Sequence, residues 1–230
     1  MHTYQLAVVT AGLSQPSSTR MLGDRLAEAT RLALAAERPA EVRVIELREL
    51  AVDIAKNLVT GFPSPALADA LDAVTKADAL IAVTPIFTAS YSGLFKSFFD
   101  VLDNTALTGK PVLIAATGGS ARHSLALEHA LRPLFSYLHA TVVPTAVYAA
   151  SEDWASTGAS ALSTRITRAA HGLAALLLHH PALTTVPTGT AEPANSAEDT
   201  KDFEDAKSFE DAKSFEVVPF AQQLAAIRPA

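Results

Sequence analysis

Three stretches of this sequence gather hydroxylated, glycine and aromatic residues in patterns that suit a bound ligand, and each follows an apolar run. The first is "GLSQPSSTR", residues 12–20. It places Ser14, Ser17, Ser18 and Thr19, with backbone N–H groups, ahead of a helix pattern. That combination holds a phosphate without requiring a lysine. Ser17 or Ser18 would serve equally well as a plain helix cap, worth about 1 kcal/mol. Spacing alone leaves the two uses even. With one glycine and no Gly-Lys-Ser/Thr ending, the loop is neither a dinucleotide fingerprint nor a Walker loop. The second stretch is "TPIFTASYSGLFKSFFD", residues 84–100. Pro85, Ile86 and Phe87 offer an apolar edge, and Thr88, Ser90 and Ser92 offer hydrogen bonds, which suits a planar ligand with a polar rim. The third is "ATGGSARHS", residues 116–124. Gly118 and Gly119 remove side chains where a flat group has to approach the backbone, or else they make a tight turn. His123 reads as a helix N-terminal residue before a catalytic one.

Something must bring these loops to one place. Five apolar runs precede or separate them: residues 4–11, 41–47, 78–84, 111–117 and 141–149. The first, third and fourth are apolar nearly throughout, as parallel strands covered on both faces should be. The second alternates and the fifth contains Pro144, which assigns both to sheet edges. Between them, residues 18–36 carry Met21, Leu22, Leu26, Ala29 and Leu32 at helical spacing. Helix patterns also cover 65–76, 93–102, 124–138 and 159–179. Alternating strands and helices predict a parallel α/β sheet wound on both faces. Ligands of such sheets bind at the carboxyl ends of the strands, where the strand order reverses. The helix from Gly93 carries Leu94, Phe95, Phe98, Phe99 and Leu102, more apolar cover than one sheet contact needs, and reads as a well-buried helix or, by preference, a subunit interface.

Composition narrows the function classes. The 230-residue chain is 49% hydrophobic and 18% charged, with a net charge of −6. No basic stripe is present for a nucleic-acid backbone. Without cysteine, thiolate catalysis, disulfides and zinc–thiolate sites are excluded, and a reducing cytoplasm is the expected location. The start, "MHTYQLAVVTAGLS", reads as a core strand and as neither a signal peptide nor a membrane span. Residues 183–200 have linker composition. They lead into a hexapeptide repeat, "KDFEDA", "KSFEDA", "KSFEVV", from Lys201 to Val218. Six residues turn an α-helix by about 600°, so Phe203, Phe209 and Phe215 share no face. The repeat is read as a solvated duplication and the apolar end, "FEVVPFAQQLAAI", as an ordered part of the tail. The expected division is a ligand-binding domain over 1–182 and a tail over 183–230.

On these residues the chain resembles the NADPH-dependent FMN reductase family. "TPIFTASYSGLFKSFFD" is similar to the family's flavin-contacting segment, with its Pro, aromatic, Ser, Gly, Lys and Asp. "ATGGSARHSLALEHALRP" is similar to the Thr-Gly-Gly-Ser segment of its sulfonate-utilisation and two-component members, and "LSQPSSTRMLGDRLA" to its phosphate loop. Ile86 departs from the acidic or polar residue that often follows the family's Pro. The resemblance implies a flavodoxin-like three-layer sandwich whose five-stranded parallel sheet has the order 2-1-3-4-5. It implies FMN, with its phosphate at Ser14, Gln15, Ser17, Ser18 and Thr19. The ring would lie along Pro85, Ile86, Phe87, Thr88, Ser90 and Tyr91, and along Thr117, Gly118, Gly119 and Ser120 with His123 beside them. NADPH or NADH would be the reductant and a flavin-dependent monooxygenase the recipient of reduced FMN. A homodimer or homotetramer is implied, with no nucleic-acid or membrane partner.

The expected activity is hydride transfer from NAD(P)H to FMN. The cofactor carries that chemistry, so no catalytic side chain and no metal site is expected. Two alternatives use the same fold: a one-electron flavodoxin carrier, or a reductase acting on quinones or azo dyes. Carriers flank the ring with Trp or Tyr, and the single tryptophan, Trp154, falls beyond the fifth strand, which favours the reductase.

Overall fold

The computed structural model describes residues 3–155 and 159–179, all within one compact unit, Met1–Thr184. The linker, the repeat and the boundary expected at 182 lie outside the described residues. The central strands are β1 (Tyr4–Thr10), β3 (Ala79–Phe87) and β5 (Pro111–Gly118), with β2 (Ala40–Glu46) at one edge. At the other edge β6 (Thr141–Val142) and β7 (Val147–Ala150) both pair with β5, giving the order β2-β1-β3-β5-β6. All of these pairings are parallel. The order is the expected 2-1-3-4-5, but the sheet has seven strands instead of five. One extra strand arises because the expected fifth strand breaks around Pro144, which has no N–H to give a ladder. The other is β4 (Ser90–Tyr91), which folds back antiparallel on β3.

Strand side chains alternate between two apolar layers. Ala7, Val9, Leu80, Ala82, Val112 and Ile114 face one layer; Leu6, Val8, Ile81, Val83, Leu113 and Ala115 face the other. Helices α2 (Ala51–Thr60), α3 (Pro65–Lys76), α4 (Gly93–Asp100) and α5 (Arg132–Tyr137) cover the first face, and α1 (Ser18–Leu34) and α6 (Ala159–His179) the second. Central strands are apolar throughout because both of their faces are covered.

Local departures from the expected helices have physical causes. Helix α1 buries Leu22, Leu26, Thr30 and Leu34, while Met21 and Leu32 are exposed. Gly23, Ala27 and Thr30 take the sheet-facing positions that were expected of larger residues. Helix α2 was not expected at all. It buries only Ile54 and Asn57 and leaves Val52, Leu58 and Val59 exposed, so much of its apolar side does not pack on the core. The stretch 124–138 widens into a π turn at Leu127–Leu131 before α5. Pro133, in the first turn of α5, removes one i→i−4 bond at that junction. The aromatic surplus on α4 belongs to the subunit's own core. Phe95 and Phe98 are fully buried, and Phe99 stacks on Phe95 at 4.8 Å and on Phe135 at 5.0 Å. The interface read on α4 is therefore filled from within the chain.

At the amino end of β5, Lys110 is buried and donates to the carbonyls of Thr75, at 3.0 Å, and Ala77. Burial pushes its pKa down to about 8, with Asp78 opposing. The unfolded chain keeps that proton up to the ordinary 10.5. Between the two values the unfolded state binds more protons, so stability rises with pH. Relative to Lys110→Met, the wild type should gain about 2 kcal/mol of unfolding free energy between pH 7.5 and 10. Denaturant titrations at both pH values would measure it, and a pH-independent difference would refute a depressed Lys110.

Candidate functional site

The carboxyl ends of β1, β3 and β5 open into one cleft of about 460 Å³. Register brings them there: Thr10 pairs with Val83, and Pro85 with Thr117. Of the expected residues, Ser14, Ser18, Thr19, Pro85, Ile86, Phe87, Thr117, Gly118 and Gly119 line the cleft. Gln15, Ser17, Thr88, Ser90, Tyr91, Ser120 and His123 do not.

In the β1 loop the two uses of serine separate. The hydroxyl of Ser17 accepts the Arg20 N–H at 3.1 Å and caps α1. A Cβ on Gly12 would stand 2.0 Å from that hydroxyl, so Gly12 makes room for the cap. Ser18 is exposed toward the cleft, and no acidic residue occupies the first turn of α1. Thr19 is buried, with its hydroxyl 2.8 Å from that of Thr117, tying the β1 loop to β5. Arg20 is engaged with two carboxylates, Asp24 at 2.8 Å and Glu46 at 2.5 Å. The hydrogen bond to Asp24, aided by Glu46, raises its pKa above the ordinary guanidinium value. The guanidinium bound to the loop is instead that of Arg48, which follows β2. It reaches the Ser14 carbonyl at 3.5 Å and, with the Gln15 amide oxygen turned toward it, that oxygen at 2.5 and 3.1 Å. Sequence reasoning missed Arg48, although the edge order β2-β1 brings residues after β2 beside this loop.

The β3 loop is a two-residue hairpin in which Ile86 pairs with Tyr91 and Phe87 with Ser90. Thr88 and Ala89 have φ of 46° and 69°. Two-residue hairpins want positive φ at both central positions, but glycine and asparagine supply it far more readily than threonine or alanine. The turn is strained by an amount on the order of 1–3 kcal/mol per residue. It holds Phe87 at the rim of the cleft, about half exposed. Tyr91 leans the other way, its ring 6.0 Å from Phe95. Ser92 caps α4 by accepting the Phe95 N–H at 3.1 Å.

The glycine pair after β5 divides its work. A Cβ on Gly118 would meet the Tyr148 hydroxyl at 2.1 Å, whereas one on Gly119 would meet no protein atom within 4 Å. Positive-φ glycines among the described residues are Gly61 and Gly109, so a left-handed turn does not account for Gly119. Ser120 caps the 3₁₀ turn Ala121–His123, and His123 is exposed in that turn.

Gly12, Leu13, Ser151 and Trp154 also line the cleft. Trp154 corrects the earlier reading. Because β7 runs parallel to β5, the turn Ser151–Trp154 emerges at the same end of the sheet. Asp153 fixes this turn, accepting the Ala150 N–H at 2.9 Å and the Arg165 guanidinium at 2.6 Å. The Arg25 guanidinium lies 5.1 Å from the Trp154 ring centre. None of the described residues lining the cleft is ionisable, and among the described residues no group of three or more His, Cys, Asp or Glu could hold a metal.

A family model described as NADPH-dependent FMN reductase matches residues 4–155. The chain is 38% identical over 151 residues to an FMN reductase (NADPH) of Pseudomonas aeruginosa, covering 66% of this chain and 79% of that one. It is 38% identical over 180 residues to the NADH-dependent FMN reductase SfnE of Pseudomonas putida, covering 77% and 95%. Among solved structures, an oxidoreductase from Corynebacterium diphtheriae is 48% identical with a TM-score of 0.76, covering 79% of this chain and all of that one. A WrbA-like flavodoxin from Agrobacterium tumefaciens, 19% identical with a TM-score of 0.55 over 78% of this chain and all of that one, shares the fold. With its three loops converging on one cleft and the family model matching residues 4–155, this chain belongs to the NADPH-dependent FMN reductase family.

Proposed function

We propose that the strand-end cleft is where this FMN reductase takes its flavin. The phosphate lies at the start of α1, among Ser14, Ser18 and Thr19, and the ring lies between Pro85–Phe87 and Thr117–Gly119. The observation that carries the reading is Gly119: on a crowded strand end, it alone of the pair opens onto free space within the cleft. The first turn of α1 fits an anion because its free N–H groups and its lack of acidic residues favour negative charge. Phe87 and Trp154 supply the apolar walls that a planar ring needs.

The flavin itself supplies the chemistry, accepting a hydride from the nicotinamide of NAD(P)H. The chain orients the two rings and keeps water away from them. Hydride transfer between the two rings asks no side chain of the cleft to move a proton. Equal identity to an NADPH and an NADH enzyme supports either donor. Reduced FMN then passes to a flavin-dependent monooxygenase, and the cytoplasm is the assigned compartment. Among the described residues no helix is long and apolar enough to cross a membrane. Self-association, as a homodimer or homotetramer, is assigned to the exposed apolar stripe of Val52, Val59 and Phe62 on and after α2.

Steady-state oxidation of NADPH and NADH with FMN, FAD and a quinone as competing acceptors tests the activity, and FMN should be preferred. Gly119→Val should abolish FMN binding in a titration while the melting temperature of the apoprotein stays within a few degrees, since the new side chain meets only the cleft. Ser17→Ala and Ser18→Ala should part company. The first should lose about 1 kcal/mol of stability with its cap. The second should weaken FMN by about tenfold or more, the loss of one charge-assisted hydrogen bond, and leave riboflavin unchanged. Light scattering should show Val59→Glu/Phe62→Glu as a monomer and the wild type as a larger species.

A further inference from the structure

We infer that Tyr148, on β7, is a positioning residue for the flavin ring: its hydroxyl is the strut that sets where Gly118, Gly119 and Ser120 stand at the mouth of the cleft. The inference rests on the proposed flavin site and concerns a residue that does not itself line the cleft. Tyr148 is 8% exposed and pairs with Ala116 on β5, two residues before Gly118. Its side chain runs along the strand end beneath the glycine pair. The hydroxyl donates to the Ser120 carbonyl at 2.9 Å. That oxygen also occupies the volume a Gly118 side chain would take, 2.1 Å from the ideal Cβ, with the ring carbon that bears it at 3.1 Å. One atom therefore supports the loop twice, by a hydrogen bond to Ser120 and by contact under Gly118.

The support is itself held. The backbone carbonyl of Tyr148 accepts from the Arg165 guanidinium at 3.3 Å, and the same guanidinium holds Asp153 in the turn that carries Trp154. Burial, with the nearby Glu152 carboxylate adding, raises the Tyr148 pKa above its ordinary value, so the hydroxyl stays a donor at neutral and mildly alkaline pH. A cleft face built from glycine has no side chain to fix its height. Here a residue from the neighbouring strand does so, through an atom that glycine alone leaves room for.

The test is a double-mutant cycle read by flavin binding. Tyr148→Phe should weaken FMN and riboflavin by the same factor, about 3–10-fold for one lost hydrogen bond, because the ring is common to both. Gly118→Ala should weaken both flavins strongly in the wild type. In the Tyr148→Phe background its penalty should shrink at least severalfold, because the obstructing oxygen is gone; residues in contact couple in this way. Hydrogen exchange on the apoprotein gives an independent reading: amides of residues 119–122 should exchange faster in Tyr148→Phe than in the wild type. Flavin affinities unchanged by Tyr148→Phe, or the same Gly118→Ala penalty in both backgrounds, would overturn the inference. If Gly119→Val also binds FMN normally, the site reading falls as well; if Gly119→Val loses FMN while Tyr148→Phe is silent, only the role of Tyr148 falls.

Discussion

The parallel register of β1, β3 and β5 is the constraint on which everything else rests. Those three strands run side by side with their carboxyl ends level, Thr10 beside Val83 and Pro85 beside Thr117. A parallel ladder places every following loop at the same end of the sheet, and a reversal of strand order leaves a crevice between two of them. Three loops, at residues 12–20, 85–91 and 117–121, thus become the walls of one cleft. A one-residue slip in any of the strands would invert its apolar faces, and the two buried layers on either side of the sheet forbid it.

Given that frame, each loop is held by polar contacts that leave the cleft lining itself uncharged. Ser17 and Ser92 cap the helices that follow β1 and β4. Thr19 and Thr117 join hydroxyls across the cleft floor, and Arg48 grips the loop after β1 from the edge of the sheet. Asp153 and Arg165 lock the turn after β7. The β3 hairpin is the exception, held with Thr88 and Ala89 at positive φ. Strain of that kind persists only where neighbouring structure over-determines it, and here it presents Phe87 to the cleft. Arg48, Asp153 and Arg165, which hold the loops, are not among the residues that line the cleft.

Strand order and the positions of the three loops were legible because hydrophobic runs and their punctuation report burial on both faces directly. Individual side-chain roles were less so. Ser17 and Ser18 are the same residue type one position apart, and only the backbone at the helix start decides which one caps. Gly118 and Gly119 are likewise indistinguishable until Tyr148, nearly thirty residues on, is seen beneath one of them. Trp154 was set aside as lying past the last strand, yet a parallel last strand returns its following turn to the site. Helix α2 was legible in principle, since its apolar residues share one side, but it is only ten residues long and Val52, Leu58 and Val59 stay exposed. For Gly118 and Trp154 the missing information was an arrangement of residues distant in sequence, which periodicity does not carry; for Ser17 it was the local backbone.

The central claim is that FMN seats on the loops after β1, β3 and β5. Hydrogen exchange monitored by mass spectrometry, on the apoprotein and on the protein saturated with FMN, addresses it most directly. The account predicts that FMN slows exchange in residues 12–20, 85–91 and 117–121, with the turn 151–154 following, and leaves the amino ends of the strands unchanged. Protection confined to other segments, with those loops exchanging as fast as in the apoprotein, would contradict it.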